Sequence, residues 1–249
     1  MKNSVKYHFS DFTTNNYRRL LKIARQKYQF ANFTNFENSD NFILWRHDID
    51  FSMHRALKMA QVEAEEGVQS TYFVLLHSEF YNLFEKEISN LLIQIINLGH
   101  EIGLHFDSHY YDIKTEKDLE KKLQLEKNIL EEFFPAKIKC FCFHINNEFT
   151  LNCNKPSYAG LVNAFSENFQ KNIPYCSDSN GFWRFKRLED VLNDPSVKKL
   201  QVLTHPELWQ DDIMSPRQRV YRCADGRAVK AKLWYDTVLK NNGRDNIDW

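Results

Sequence analysis

The chain has 249 residues, 43% of them hydrophobic, enough to bury a large core as one domain. Its 33 Lys+Arg against 33 Asp+Glu leave a formal net charge of +0, so no global field draws it to DNA, RNA or an anionic membrane, and a small or carbohydrate substrate fits better. Five cysteines, an odd and scattered set, make no disulfide framework and read as reduced thiols. Met1 to His8 has no apolar signal-peptide core, and no run approaches the ~18 apolar residues of a spanning helix. A cytoplasmic protein without membrane insertion is expected; nothing in the sequence sets its oligomeric state.

In chain order, Thr13 to Tyr28 presents Tyr17, Leu20, Leu21, Ile23 and Ala24 as one apolar helical face, with Arg18, Arg19, Lys22 and Arg25 mostly outward. A polar link, Ala31 to Asn41, leads to a strand that starts at Phe42 and ends at Asp48. Ser52 is an N-cap for a helix from Met53 to Glu66, which Gly67 stops. Val68 to Leu76 is nearly continuous in hydrophobicity, as a parallel strand covered on both faces would be. A helix over Phe80–Leu98 follows, then a strand over His100–Leu104, and a helix that begins at Thr115 and ends at Pro135, with Asp118 near the capping-box position. The remaining expectations are a strand over Ile138–His144, a short helix around Gly160–Phe165, a short strand and turn at Ile173–Gly181, a strand over Leu200–Thr204, and a helical segment beyond Pro216 interrupted near Asp225-Gly226.

Strands and helices alternate about six times, which argues for an α/β fold with a parallel sheet. An open doubly wound sheet is the rival. A distorted TIM-like (β/α) barrel of about seven strands is favoured, because Asp48, Asp50, His105, His144, Asp178 and His205 recur just after successive predicted strands, where barrels carry their catalytic groups. One domain is expected over residues 1–249, its core about 40–210, with the N-terminal helix and the C-terminal helical segment packed on it.

Two stretches carry the chemistry. Side chains alternate along a strand, so Arg46, Asp48 and Asp50 point one way and His47 the other. His105 and His109 stand four apart at the end of another strand, which is metal-ligand spacing. Two histidines and one carboxylate leave open positions on a divalent ion, the catalytic arrangement, and free the second carboxylate to act as a base. The spacing allows either acid in either role; the reading adopted gives Asp50 to the metal and Asp48 to the base. His100 opens its strand at the end opposite His105 and reads as structural. His144 lines a pocket, replaces a ligand or caps a strand, and one position does not separate these. Cys140 and Cys142 alternate on a strand and read as small core residues. The basic run Arg217, Arg219, Arg222, Arg227, Lys230 and Lys232 is a solvated helix face that could also meet the phosphates of a nucleotide-linked sugar.

The acidic strand end, the His-x-x-x-His segment after Gly99-His100-Glu101-Ile102-Gly103, and Leu203-Thr204-His205-Pro206 together resemble the polysaccharide deacetylase (NodB-homology) family of carbohydrate esterases over about residues 40 to 210. The sequence departs from the family's pattern in two places. His47-Asp48-Ile49-Asp50 stands where the family has Thr-Phe-Asp-Asp-Gly, and the Arg-x-Pro-x-Gly segment is missing, with Cys142-Phe143-His144-Ile145-Asn146 in its region. This is similar to a divergent His-Asp-x-Asp, WbmS-like branch associated with surface-polysaccharide gene clusters.

The resemblance implies a divalent-metal-dependent deacylase acting on an N-acyl, less readily an O-acyl, sugar. Asp50, His105 and His109 would hold the ion, most simply Zn²⁺, with Co²⁺, Ni²⁺ or Mn²⁺ accepting similar ligands. Asp48 would be the base. His205, matching the His of the family's Leu-x-x-His segment, would be the acid, oriented by Asp178. Arg46 or Arg184 would stand in for the family's base-steadying Arg, and Trp183 and Trp209 would offer flat surface to a sugar. A cyclic-amide or N-formyl hydrolase and a catalytically inactive sugar-binding domain are the alternatives; the retention of Asp48, His205 and three ligands counts against the second.

Overall fold

The computed structural model describes residues 1–36 and 39–248; Glu37 and Asn38, within the expected polar link, lie outside the described residues. The first half carries helices α1 (Asn3–Lys6) and α2 (Thr14–Lys27), strands β1 (Gln29–Ala31) and β2 (Phe42–Ile49), helix α3 (Met53–Glu65), strand β3 (Thr71–Leu75), helix α4 (Lys86–Asn97) and strand β4 (Glu101–Phe106). Helix α5 (Glu116–Phe133), strand β5 (Cys140–Phe143), helix α6 (Glu148–Asn152), strands β6 (Ser157–Tyr158) and β7 (Leu161–Asn163) and helix α7 (Glu167–Asn172) follow. Strand β8 (Tyr175–Ser177), helix α8 (Leu188–Asn193), strand β9 (Lys199–Thr204) and helix α9 (Pro216–Asn241) complete the chain.

The strands form one sheet in the order β6-β7-β5-β4-β3-β2-β9-β8, with β1 beside the start of β2. Every pairing from β7 through to β8 is parallel, a run of seven strands, and only the β6–β7 hairpin is antiparallel. Flat, seven strands at ~4.8 Å would span about 29 Å. Phe143 and Ala164 beside β5 and β7 nevertheless border the same cavity as Tyr175 on β8 and Gln201 on β9, so the sheet curls into the expected distorted barrel. No pairing joins β8 to β6 or β7 among the described residues, which leaves a seam.

Alternation along β2 explains the layers. Phe42 and Leu44 point into the barrel, where they pack with Phe73, Cys140 and Phe169. Ile43 and Trp45 face outward against Tyr17, Leu20 and Leu21 of α2. Next along the inner side come Arg46 and Asp48, both buried, so the core plugs the lower barrel and the polar groups lie towards the C-terminal strand ends. Gly103 on β4 is part of this fit: a Cβ there would come within 2.6 Å of the Phe73 ring.

His47 does face away from the site, into the layer beneath the helices. The fully buried Glu63 on α3 is bonded by His47 Nε2 (2.7 Å), Ser70 (2.9 Å), Tyr72 (2.6 Å) and Tyr17. Burial alone would raise this carboxyl, but His47 and its other partners outweigh it and hold it at about 2. Removing the acceptor strands four donors in the dry layer. Glu63→Ala is therefore expected to cost about 3–5 kcal/mol, a melting-temperature drop on the order of 10 °C for a chain of this size, read by thermal unfolding.

Several local expectations are corrected. Residues 157–163 form the β6–β7 hairpin in place of a helix, because Ala159 and Gly160 both take positive φ (50° and 72°), as a two-residue hairpin turn requires. The C-terminal helix runs unbroken through Gly226, where a Cβ would meet nothing, so the glycine costs only its propensity, about 1 kcal/mol. The helix expected from Phe80 begins at Lys86; the Tyr81 hydroxyl is engaged instead by the carbonyls of Ile49 and Leu75. Helices α6, α7 and α8, of 5 or 6 residues each, are too short for periodicity to reveal. Cys140, Cys142, Cys153, Cys176 and Cys223 are all free, the first four buried. Titration of denatured, unreduced protein should count five thiols.

Candidate active site

Three strand ends deliver the central residues. Asp50 follows β2, and the main chain there is pinned by Ser78 Oγ donating to the Asp50 carbonyl and the Tyr81 hydroxyl donating to that of Ile49, each at 2.8 Å. His105 is the next-to-last residue of β4 and is 1% exposed. His144 follows β5, and its N–H continues the ladder onto the Phe106 carbonyl at 2.9 Å.

These three converge. His105 Nε2 lies 3.1 Å from Asp50 Oδ1, His144 Nδ1 3.4 Å from the same oxygen, and the two nitrogens 3.2 Å apart. Two donors about 2.1 Å from one ion and 90–109° apart lie about 3.0–3.4 Å from each other, so the triangle has the dimensions of three ligands on one metal. Asp50 Oδ1 is buried without a hydrogen-bond partner. An acceptor oxygen with no donor, flanked by two imidazole nitrogens, fits a divalent cation and leaves further coordination positions open.

Next to the triangle, Asp48 is 3% exposed. Arg46 Nη2 donates to Asp48 Oδ2 at 2.8 Å, and His105 Nε2 is 3.8 Å from that oxygen. Burial would push the Asp48 carboxyl up, yet Arg46, His105 and His205 together hold it below the usual range. Cys142, facing inward beside His105 in the β4–β5 register, links the two roles: its Sγ is 3.0 Å from His105 Nδ1 and 3.6 Å from Asp48 Oδ1. Donation from Nδ1 to the sulfur leaves the Nε2 lone pair free for a metal.

Across the cluster, His205 follows β9, with Nε2 3.8 Å from Asp50 Oδ2. Asp178, completely buried after β8, takes His205 Nδ1 at 2.7 Å, the His205 N–H at 3.0 and 3.1 Å, and Trp209 Nε1 at 2.8 Å. Burial works to lower the His205 imidazole, but Asp178 prevails and lifts it to about 10.

The structure thus brings together Arg46, Asp48, Asp50, His105, His144, Asp178 and His205, and does not bring His109 to them. The chain turns after β4, Asp107 Oδ1 accepts the N–H of His109 at 2.8 Å, and the residue is exposed and belongs to neither metal-ligand-like group among the described residues. Trp209 offers no face to a sugar, being 0% exposed. Trp183 stacks on Phe12 at 5.1 Å and donates to Asp11. Arg184 is exposed and lies over the Phe185 ring; Arg46 is the arginine on the Asp48 carboxylate. Most of the basic run on α9 is occupied: Arg219 is buried, Arg222 pairs with Asp212, Arg227 with Glu85 and Lys230 with Glu87. Arg217 borders a second cavity of about 420 Å³ with Asp50, His205 and Glu207. Sequence reasoning missed Glu207, a buried carboxyl raised well above the ordinary range chiefly by desolvation. No periodic or motif signal marks it.

No protein-family model matches the sequence, and no curated protein matches it. Among solved structures the chain is similar to a family 4 carbohydrate esterase from Bacillus anthracis, at 16% identity over 85% of this chain and 86% of that one, with a TM-score of 0.44. It is similar also to the chitin deacetylase of the fungal pathogen Colletotrichum lindemuthianum (15% identity, 74% and 81% covered, TM-score 0.42). A third is a CE4 family pseudoenzyme from Bacillus anthracis (12%, 79% and 62%, TM-score 0.40). At these identities and scores the chemistry has to be argued from this chain's own side chains.

Proposed function

We propose that this chain is a divalent-metal-dependent hydrolase that removes an N-acyl group, acetyl or formyl, from a sugar or nucleotide-linked sugar. The observation that carries the reading is the Asp50–His105–His144 triangle with its orphaned oxygen, set between the Arg46-bound Asp48 and the Asp178-bound His205. An imidazole ligates a metal in its neutral form, and with His105 and His144 in that form the charges around the cluster are those of Asp48 and Asp50 against Arg46, plus a self-cancelling His205–Asp178 pair. The remaining negative charge favours a cation.

Asp50, His105 and His144 would hold the ion, with His144 in the place expected of His109; Zn²⁺ suits the N/O donor set. Such an ion supplies Lewis-acid polarisation of the acyl carbonyl and brings the pKa of a water to ~7. Asp48, kept ionised beside Arg46, takes the proton from the attacking water as the C–O bond forms. His205, kept protonated by Asp178, gives its proton to the nitrogen as the C–N bond breaks, so the amine leaves neutral.

Elemental analysis of protein purified without chelator, followed by a screen for acetate and formate release from N-acylated sugars and sugar nucleotides, tests this. About one divalent metal per chain and release from at least one of these sugars is expected. Metal-free protein that stays inert when Zn²⁺, Co²⁺, Ni²⁺ or Mn²⁺ is added overturns it.

A further inference from the structure

Helix α9 is longer than the surface that supports it. In its first half Arg219 donates to the carbonyls of Gly181 and Phe9 at 2.9 and 3.2 Å, and Arg227 and Lys230 pair with Glu85 and Glu87. Past Lys230 the helix runs on to Asn241 with Leu233, Trp234 and Tyr235 59%, 66% and 54% exposed. A helical segment apolar on several sides is ordinarily covered by another surface.

The pattern of the helix shows what covers it. Tyr221, Ala224, Ala228, Ala231, Tyr235 and Val238 follow one another at spacings of three and four, the a and d positions of two and a half heptads, with no polar residue among them. At 3.6 residues per turn this stripe lies about a third of a turn from the side held by Arg219, Cys223 and Lys230, so the body leaves it open. Tyr221 is 53% exposed, and Ala228, Ala231 and Tyr235 are exposed with it. The other outward side, through Val229 and Leu233, is broken by Arg222, Asp236 and Lys240.

The stripe is complementary to itself in one orientation. In an antiparallel pair related by a two-fold axis between Val229 and Lys230, Ala228 meets Ala231 of the second copy, Ala224 meets its Tyr235 and Tyr221 its Val238, so each ring lies against a smaller side chain. The same register sets Asp225 beside Lys232 of the second copy, twice by symmetry. The ion pairs of α9 use Arg222, Arg227 and Lys230, and among the described residues Asp225 and Lys232 enter none. A parallel pair would oppose Tyr221 to Tyr221 and bring Arg227 beside Lys232, a repulsion. The paired segment is about 26 Å long and would bury on the order of 1,000 Å² in total, the size of a reversible interface.

We infer that α9 is a dimerisation helix, packing antiparallel against α9 of a second copy of this chain through the Tyr221–Val238 stripe, with Asp225–Lys232 pairs on its flank. The pairing does not depend on the reaction at the metal triangle.

Sedimentation velocity of the full chain across a concentration series tests it, and a dimer with a dissociation constant of roughly 1–100 µM is expected. Ala228→Glu, which sets a carboxylate against Ala231 of the second copy, should weaken the dimer more than about 100-fold while the melting of the monomer stays native. Asp225→Lys and Lys232→Asp, each turning two attractions into two repulsions, should weaken it about tenfold apiece. Combined, they should restore it; the two positions stand two turns apart on one helix, so recovery reports contact between copies. If Ala228→Glu fails to melt natively, the charge swaps at their exposed sites decide. A wild type that stays monomeric throughout overturns the inference. So does a dimer indifferent to a natively folded Ala228→Glu, or one weakened by the single swaps and not recovered in the double variant.

Discussion

His105→Ala is expected to abolish stoichiometric metal and, with it, deacylation, while the protein remains folded. Among the described residues His105 is shared by the two metal-ligand-like groups, and it contributes one of three donors in the triangle. Loss of a partner that merely supports a ligand costs 10–100-fold in metal affinity, so loss of a ligand itself should exceed about 100-fold. His144→Ala and Asp50→Ala should follow it, whereas His109→Ala, at an exposed turn, should keep full occupancy. Elemental analysis after dialysis against metal-free buffer separates the two histidines: metal lost from His109→Ala and kept in His144→Ala would refute the triangle. Asp48→Asn should keep its metal and lose the base, a fall in kcat of about 10²–10⁴-fold. Should Asp48→Asn lose metal and Asp50→Ala keep it, the ligand and the base exchange places.

The part of this site that period-two alternation governs is legible in the sequence. Arg46 and Asp48 share the inner side of β2 and His47 turns to the helix layer, where Glu63 receives it. The pairing of Asp178 with His205 was also foreseen, as two residues just beyond neighbouring parallel strands. That His144, and not His109, lies beside His105 and Asp50 was not. Four-residue spacing brings two imidazoles together on a helix, but here β4 runs on to Phe106 and a turn follows, so the second histidine must come from the next strand. That depends on the β4–β5 register, which sets His105 opposite Cys142 and brings His144 alongside just past the strand end; a register between residues 37 apart in the sequence is a tertiary fact. The placement of Trp183 and Trp209 was hidden for a related reason: a tryptophan in a sequence looks the same whether it faces a ligand or, as here, packs against Phe12 from the N-terminal segment.

His205→Ala is expected to lower kcat by about 10²–10⁴-fold, equivalent to roughly 3 to 5 kcal/mol of barrier, with metal content unchanged. The effect should be larger for an amide than for an ester of the same sugar, because an alkoxide leaves with less need of a proton than an amine does. Its pH dependence follows from Asp178. That carboxylate raises the imidazole to about 10 despite burial, so the proton donor is present at neutral pH and is lost as pH rises through about 10. The same shift contributes stability that is complete below the unfolded value near 6.5 and disappears as pH climbs through the folded one. Asp178→Asn removes the charge that holds the proton, so the alkaline limb of the rate profile should move down towards neutrality with a milder loss at low pH. The Trp209 indole and the His205 N–H would then face an amide in place of a carboxylate, and the dyad would be less rigidly held. If His205→Ala instead loses its metal, His205 is a ligand and the acid lies elsewhere, with Glu207, buried and raised beside the same cavity, the first residue to substitute. If amide and ester rates fall equally and the alkaline limb of Asp178→Asn stays where it was, His205 shapes the pocket and donates no proton.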